Sequence, residues 1–316
     1  METIYLNESA ESNCPCVSTI GFFDGVHVGH RYLINKVVAK ARCSHLASAV
    51  VTFAVHPRQI LQPGWHPQLL TTLSEKCQLL EQTGIDRLVV LPFDAAMASM
   101  PARQFMEAVL LRQIGVRTLV IGYDNRFGHR GKCCTEGFSD YVMYGREMGM
   151  DVVQGDPVDA DGLRVNSSLV RRLLLSGDVS CASSCLGRPY QLTGTVVSGC
   201  HVGTGLGFPT ANLQLSDVSK VIPASGAYAV RVSIEGETKL RCGMMNIGCR
   251  PTFDGHHQTL EVHILDFSGD VYGRQLTVLF VDRLRAEMRF TSAAALAAQL
   301  HADVLRAEEV LQVFTH

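Results

Sequence analysis

The sequence contains no apolar run near the roughly 20 residues that a membrane-spanning helix requires, so we expect no membrane partner. The segment Met1–Cys16 is polar and acidic, which is not typical of a secretory signal peptide. The basic residues do not cluster and the formal net charge is −2, so nucleic acid is not an expected partner either. Together these absences favour a cytoplasmic location.

The cysteines form no C-x-x-C motif, and no second pair follows at the spacing of a zinc site. There are 11 of them, an odd number, scattered from Cys14 to Cys249. In a reducing compartment such residues act as small hydrophobic side chains, so we assign them no metal-binding or redox role. The sequence also lacks internal repeats and low-complexity tracts.

The first half alternates apolar, β-rich runs with helical patterns. Strands are predicted at 17–23, 48–53, 86–91, 117–123 and 151–154, and helices at 31–43, 74–82, 101–114, 137–148 and 167–175. Ser74, followed by Glu75, and Pro101 are the predicted helix starts. Continuous apolar strands separated by helices predict a parallel sheet covered on both faces.

From about Tyr190 the pattern changes to strands separated by glycine, proline and asparagine. They are predicted at 190–197, 227–234, 239–247, 259–267 and 275–284. This spacing suits an antiparallel barrel or sandwich. A final helix at 292–313, with Leu296, Leu300, Val304 and Leu311 on one stripe, should pack against it. With 316 residues, 47% of them apolar, two domains are expected, at 1–180 and 187–316.

Two histidines, His27 and His30, lie where the first predicted strand gives way to a helix. Glycines in the turn allow a ligand to approach the backbone closely. Backbone N–H groups and the positive end of the helix dipole favour an anion there, and the imidazoles can donate to a polyphosphate. A metal pair or two surface histidines are the alternatives, although helix-borne metal pairs usually lie four residues apart.

Other segments offer contacts to the same ligands. His56-Pro57-Arg58 and the loop from Gly122 to Lys132 both follow strands, so they should converge with the histidine turn at the carboxyl edge of the sheet. The segment Asn166–Arg171 starts a helix, where hydroxyls commonly act as caps but, with an arginine, can also bind phosphates. The choice between Arg171 and Arg172 depends on helix phase, and we choose Arg171.

The second half has its own candidates. A glycine-rich loop ends in Thr210-Ala211-Asn212, whose Thr and Asn oxygens face one side of an extended segment and suit Mg²⁺, the alternative being a strand-entry turn. Glu261 shares one face of an alternating strand with Thr259 and His263. It is either an exposed strand residue or the base of a phosphoryl transfer.

Five motifs follow one another in the first half: G-F-F-D-G-V-H-V-G-H, T-F-x-x-H-P-R, L-P-F-D, G-Y-D-x-R-F-G and S-S-x-x-R. In this order they resemble the adenylyltransferase half of bacterial bifunctional riboflavin kinase/FMN adenylyltransferases, or FAD synthetases. The resemblance implies a Rossmann-like nucleotidylyltransferase domain with His27 and His30 as catalytic residues. It implies phosphate contacts at Gly21, Phe23, Gly25, Gly29, Ser168 and Arg171, and substrate contacts at Arg58, Asp124 and Asn125.

The second half resembles the riboflavin kinase module of that family, through Gly187-Arg188-Pro189-Tyr190, G-F-P-T-A-N, N-I-G-x-R-P-T-F and E-V-H-I-L-D-F-S-G-D-V-Y-G. This implies a β-barrel with a C-terminal helix, and Glu261 as the catalytic base. It also implies phosphate contacts at Gly203, Gly205 and Gly207, and Mg²⁺–ATP contacts at Thr210 and Asn212. The sequence departs from the family at Asn166, Ser168 and Cys200, and also at Leu169, His201 and Thr204, where the family usually has a cation.

The resemblance implies FAD synthesis in two steps, with riboflavin, FMN and ATP as the small-molecule substrates. ATP phosphorylates riboflavin to FMN, and a second ATP adenylylates FMN to FAD with release of pyrophosphate. Two alternatives stay open: another nucleotidylyltransferase with an unrelated β-domain, and a flavin- or nucleotide-binding regulator on a decayed enzyme scaffold. An aminoacyl-tRNA synthetase is not expected, because the chain lacks a K-M-S-K-S-like loop and a basic RNA-binding surface.

Overall fold

The computed structural model describes residues 1–6, 14–62, 64–123, 125–128, 136–160, 162–198, 207–252 and 255–313. The chain divides into two compact units, Met1–Ser167 and Ser168–His316. The elements of the first unit are β1 Glu2–Tyr5, β2 Cys16–Ile20, α1 Val28–Ser44, β3 Ala47–Phe53, α2 Pro57–Leu61, α3 Leu73–Glu81, β4 Arg87–Leu91, α4 Ala95–Ser99, α5 Ala102–Phe105, a π-helix Met106–Ile114, β5 Val116–Ile121, α6 Phe138–Met148, β6 Asp151–Gln154, β7 Asp159–Ala160 and β8 Leu163–Arg164.

The first unit is built on a six-stranded sheet in the order β1-β4-β3-β2-β5-β6, and all its strand pairs are parallel. Successive strand residues face opposite cores, because side chains alternate along a strand. Val50 packs with Leu33 and Leu80 from α1 and α3. Its neighbour Val51 packs with Leu110 from the π-helix on the other face. The predicted parallel sheet with helices on both faces is therefore confirmed.

The second unit contains a closed barrel of six antiparallel strands, so the barrel and not the sandwich is correct. Its elements are α7, which begins at the end of the first unit and spans Ser167–Ser176, α8 Val179–Leu186, β9 Gln191–Val197, β10 Ala211–Leu215, β11 Gly226–Ile234, β12 Arg241–Thr252, β13 Gly255–Ile264, β14 Gln275–Ala286 and α9 Ala293–Val313. The order around the barrel is β10-β13-β12-β11-β14-β9.

Helices cover the barrel at two places. Two members of the predicted stripe of α9 pack as expected: Leu311 is buried, and Val304 lies next to it in a cluster with β11 and β12. The other two, Leu296 and Leu300, are partly exposed and line a cavity. α8 packs against β14 and buries Val179, Ala182, Cys185 and Leu186. The Leu174 carbonyl of α7 accepts from Ala224 N at 3.0 Å, so both preceding helices are joined to the barrel.

Some local predictions are wrong. Thr72, not Ser74, caps α3: its hydroxyl accepts from Glu75 N at 3.2 Å, and the Glu75 carboxylate accepts from Thr72 N at 2.9 Å. The helix predicted at 101–114 is a short α-helix that continues as a π-helix from Met106. The sequence patterns also miss four strands, β1, β7, β8 and β10, and three helices, α2, α4 and α8.

Candidate active sites

The turn between β2 and α1 places His27 and His30 against each other. His27 is the N-cap of α1, and its Nδ1 accepts from His30 N at 3.3 Å. The two rings are stacked, with centroids 3.5 Å apart, and the edge of Phe23 meets the His30 ring at 5.1 Å. Phe23 is buried at φ 54°, and Gly25 has φ 81°. The left-handed backbone bends the turn so tightly that both imidazoles lie at the start of the helix.

His30 is held as an uncharged imidazole. Burial, then the neighbouring His27, then the Lys76 ammonium lower the pKa of His30 well below its usual range. Its Nδ1 is buried, and no hydrogen-bond partner for this atom is found within the described part of the chain. An uncharged imidazole at a helix N-terminus can donate one ring N–H to a phosphate oxygen, as the backbone N–H groups there also can.

The two other glycines of the turn, Gly21 and Gly29, lie close to neighbouring groups. A Cβ on Gly29 would lie 3.2 Å from Cε1 and Nδ1 of the His27 ring. Gly21 donates its N–H to Val51 O at 3.1 Å, which joins the beginning of the turn to β3. A side chain at position 29 would therefore push the His27 ring away from the backbone by a few tenths of an ångström.

The segment Leu70–Lys76, which the sequence analysis did not name as part of the site, supports this turn. The buried Asp24 carboxylate accepts from Leu70 N and Thr71 N at 3.0 Å each, and Gly25 N donates to the Thr71 hydroxyl at 3.0 Å. The Lys76 ammonium donates to Phe22 O at 3.0 Å. A charged residue on the apolar stripe of a predicted helix was the signal in the sequence, since Lys76 lies between Leu73 and Leu80 at helical spacing.

The predicted convergence of strand ends is present in the first unit. β3, β2 and β5 are neighbours, so the segments after them meet at one edge. The Phe22 and His56 rings lie 4.5 Å apart, and the Asn125 side-chain amide donates to Ile20 O. Arg58 follows on α2 with an exposed side chain, and Asp124 lies outside the described residues.

Beside this edge lies an apolar cavity of about 350 Å³. Aromatic, aliphatic and methionine side chains line most of it, and Arg126 is its cationic member. The lining residues are Phe53, Pro57, Leu61, Phe93, Met97, Ala98, Met100, Phe105, Arg126, Phe127 and Gly128. Such a cavity fits a flat aromatic ring system with an anionic group at one end.

The predicted phosphate-binding helix is α7. The hydroxyl of Ser167 donates to Asp24 O at 2.9 Å, which fixes the beginning of the helix in the first unit. Ser168 is exposed and Leu169 is buried. Arg171 is half-buried and Arg172 is exposed, so helix phase distinguishes the two arginines.

In the second unit, Glu261 lies in a row across three strands. Its register partner on β10 is Asn212 and on β12 is Asn246. Thr259, Glu261 and His263 alternate with the buried Leu260 and Val262, as predicted. Asn246 was missed as a candidate because only strand register places it beside Glu261.

Glu261 and Asn246 of this row line a cavity of about 310 Å³. Its polar members include Thr210, Asn246, Thr259, Glu261, His263 and Glu287. The His263 Nδ1 lies 2.8 Å from Pro209 O, which holds the segment before β10 against β13. A second cavity of about 340 Å³, lined by Val196, Phe267 and Tyr272 among others, also reaches Thr210. Thr210 therefore lies between two cavities, with Glu261 on the side of the first.

Two of the three predicted glycines of the kinase loop, Gly203 and Gly205, lie outside the described residues. Gly207 is exposed with φ 83°, a left-handed conformation that glycine adopts without strain. A buried ion pair between β14 and α9 also lines the first cavity. Arg285 Nε lies 3.1 and 2.9 Å from the two oxygens of Asp303, which also accepts from Gln299 at 2.8 Å.

Known proteins match both units. A FAD synthetase family model matches residues 9–169, and a riboflavin kinase family model matches residues 186–311. A bifunctional riboflavin kinase/FMN adenylyltransferase from Pseudomonas fluorescens is 38% identical over 303 residues, which cover 95% of this chain and 94% of that protein. The protein of that name from Escherichia coli K12 is 38% identical over 297 residues, covering 93% and 92%.

A crystal structure described as a macrolide-efflux protein from Streptococcus pneumoniae has the same fold. It matches with a TM-score of 0.88 and 31% identity, and covers 98% of this chain and 99% of its own. In the part of the chain that the structure describes, no helix has the length and hydropathy needed to cross a membrane.

These matches favour neither a nucleotidylyltransferase with an unrelated β-domain nor a regulator on a decayed scaffold, because both halves match and the relatives align over nearly the whole chain. The protein belongs to the family of bifunctional riboflavin kinase/FMN adenylyltransferases, enzymes that make FAD from riboflavin by phosphorylation followed by adenylylation.

Proposed function

We propose that riboflavin phosphorylation takes place at the wall of the barrel cavity that Glu261 lines, within residues 187–316. The observation that supports this most is the row Asn212–Glu261–Asn246, which lies in register across three strands and of which Glu261 and Asn246 line the cavity. Riboflavin would occupy the 310 Å³ cavity, and the adenine of ATP the 340 Å³ cavity. Thr210 lies where the two cavities meet, so the phosphates would pass it.

In this arrangement Glu261 takes the proton of the ribityl 5′-hydroxyl, and that oxygen forms a bond to the γ-phosphorus of ATP while the bond to ADP breaks. The donor set beside Glu261, the Thr210 hydroxyl and the Asn212 carbonyl, consists of hard oxygens of the kind that Mg²⁺ prefers. Thr210 and Asn212 would hold that ion, which when bound neutralises charge on the phosphates.

We place adenylyl transfer at the turn of His27 and His30, within residues 1–180. The FMN phosphate oxygen attacks the α-phosphorus of ATP, and pyrophosphate leaves. A phosphate is already a nucleophile, so the protein contributes position and electrostatic stabilisation rather than a base. The flavin ring fits the 350 Å³ apolar cavity, in which Arg126 can meet an anion. The roles of Arg58, Asp124, Asn125, Ser168 and Arg171 and of the loop glycines stay predictions from the sequence.

A crossed pair of variants tests this assignment. Glu261→Gln keeps the shape of the side chain but removes the base, so FMN formation from riboflavin should fall by roughly 10²–10⁴-fold while FMN adenylylation is unchanged. His30→Ala should do the reverse, with a loss of roughly 10²–10³-fold in FAD formation from supplied FMN. Both products are followed by chromatography.

Matched controls are available on the surface of each unit. Glu309→Gln changes an exposed carboxylate of α9, and His66→Ala removes an exposed histidine of the first unit. Both should leave both activities at the parental rate. Parental riboflavin phosphorylation in Glu261→Gln would make Glu261 an ordinary strand residue, and parental FAD formation in His30→Ala would remove His30 from the site.

A further inference from the structure

Lys76 is a buried cation at the carboxyl ends of two central strands. Its side chain is 2% exposed. Its ammonium donates to Phe22 O at 3.0 Å, to Thr52 Oγ1 at 3.1 Å and to Phe53 O at 3.1 Å. An ammonium has three N–H donors, so all three are used, and each acceptor belongs to the end of β2 or β3.

These two strand ends lead to different parts of the proposed site. Phe22 is followed directly by the turn that carries His27 and His30. Phe53 lines the 350 Å³ apolar cavity with its ring, while its carbonyl accepts from Lys76. One side chain thus joins the backbone that shapes the phosphate turn to the backbone that shapes the flavin cavity.

A second contact strengthens the connection. The Lys76 ammonium lies 4.1 Å from the centre of the Phe22 ring, and that ring meets the His56 ring edge-on at 4.5 Å. His56 caps α2, whose residues Pro57 and Leu61 line the apolar cavity. The lysine therefore contacts both segments through backbone and ring.

We propose that Lys76 is a positioning residue for adenylyl transfer: its ammonium fixes the end of β2 against the end of β3, and so aligns the FMN phosphate with the α-phosphorus of ATP. This inference rests on the proposed placement of adenylyl transfer at the histidine turn. Neither substrate needs to touch Lys76. Misalignment of reactants by about 1 Å can cost on the order of 10²-fold in rate, so the effect falls on kcat.

The charge state of Lys76 gives the inference a distinct signature. Burial lowers the pKa of Lys76 to about 8, against a raising effect of the Asp24 carboxylate and of Cys77. A neutral amine has two N–H groups and no charge, so it can donate to only two of the three acceptors, and one hydrogen bond between Lys76 and the strand ends is lost. The other titratable groups that face it are His30, whose pKa is lowered well below its usual range, and Cys77, whose pKa is raised by burial. Neither changes charge near pH 8, so adenylylation should fall as the pH rises through about 8.

The experiment uses the full chain and measures kcat and KM for FAD formation from FMN and ATP between pH 6 and about 9.5. Lys76→Met keeps the length of the side chain without the charge, and should lower kcat by roughly 10–10²-fold with both KM values within about threefold of the parent. Lys76→Arg stays charged, so it should recover part of kcat and lose the alkaline fall. Lys36→Met, which removes a partly exposed lysine paired with Asp156, is the control.

Riboflavin phosphorylation by the same preparations reports on the second unit, and circular dichroism reports folding. If Lys76→Met does not fold, the comparison of the parent with Lys76→Arg decides. A parental kcat in Lys76→Met, or an alkaline fall that persists in Lys76→Arg, overturns the inference. If His30→Ala also retains activity, the proposed site fails; if His30→Ala loses activity while Lys76→Met does not, only the positioning role fails.

Discussion

Asp303→Asn replaces a single oxygen by nitrogen, yet it should destabilise the second unit strongly. Asp303 and Arg285 are 5% and 15% exposed at their side chains and form a two-point ion pair between α9 and β14. Removal of one partner of a buried pair costs about 3–5 kcal/mol, because the other charge stays buried. Asparagine keeps one oxygen for Gln299 or Arg285, so we expect the lower value, about 3 kcal/mol. For a domain of this size that lowers Tm by about 6–12 °C.

Scanning calorimetry of the full chain measures the effect, and a double-variant cycle tests its cause. Arg285→Met should destabilise the second unit by a similar amount. The double variant should cost less than the sum of the two, because the pair is lost only once. Since both side chains line the barrel cavity, KM for riboflavin should rise in each single variant. Glu309→Gln is the surface control. A Tm change below about 2 °C in Asp303→Asn, or strictly additive single effects, would refute this reasoning.

Two further predictions concern the first unit. Gly29→Ala places a Cβ 3.2 Å from the His27 ring, which is itself stacked on His30, so the ring must shift by a few tenths of an ångström. Since a shift of about 1 Å costs on the order of 10²-fold in rate, FAD formation from FMN should fall by about threefold to tenfold while riboflavin phosphorylation stays parental. For Lys76, burial lowers the pKa from 10.5 to about 8, so the folded state releases its proton before the unfolded state does. The free energy of unfolding of the parent relative to that of Lys76→Met should therefore be lowest below pH 8 and rise by about 3 kcal/mol towards pH 10.5. Denaturant titration at several pH values measures this difference. A difference that does not change with pH contradicts the prediction.

The sequence predicts the sheet, the barrel and the histidine turn because each depends on a local pattern. Apolar runs such as 48–53 have the length and composition of buried parallel strands, and Thr259, Glu261 and His263 alternate with apolar neighbours. The edge strand Glu2–Tyr5 has no such pattern, since most of its residues are exposed on a polar N-terminal segment. The π-helix at Met106–Ile114 is invisible for a related reason: its apolar positions also fit an α-helix.

Contacts between distant segments explain the remaining omissions. Lys76 becomes part of the proposed site only because α3 packs across the ends of β2 and β3. Its hydrogen bond to Phe22 O joins residues that are 54 positions apart in the sequence. Asn246 joins Glu261 only through barrel register. Side-chain periodicity within one element reports which face is buried, but it does not report which face of another element lies opposite.

The register of β13 links the assembly of the barrel to its chemistry. Glu261 pairs with Asn246 while the next residue, Val262, pairs with Met245, and both Val262 and Met245 are buried. A slip of one residue would turn the carboxylate inward and expose the valine to the cavity. An unpaired charge in that interior is expensive, so the slipped barrel would be disfavoured as strongly as it would be inactive. In variants of these strands that change the register, loss of folding and loss of phosphorylation then have the same cause, although two different assays measure them.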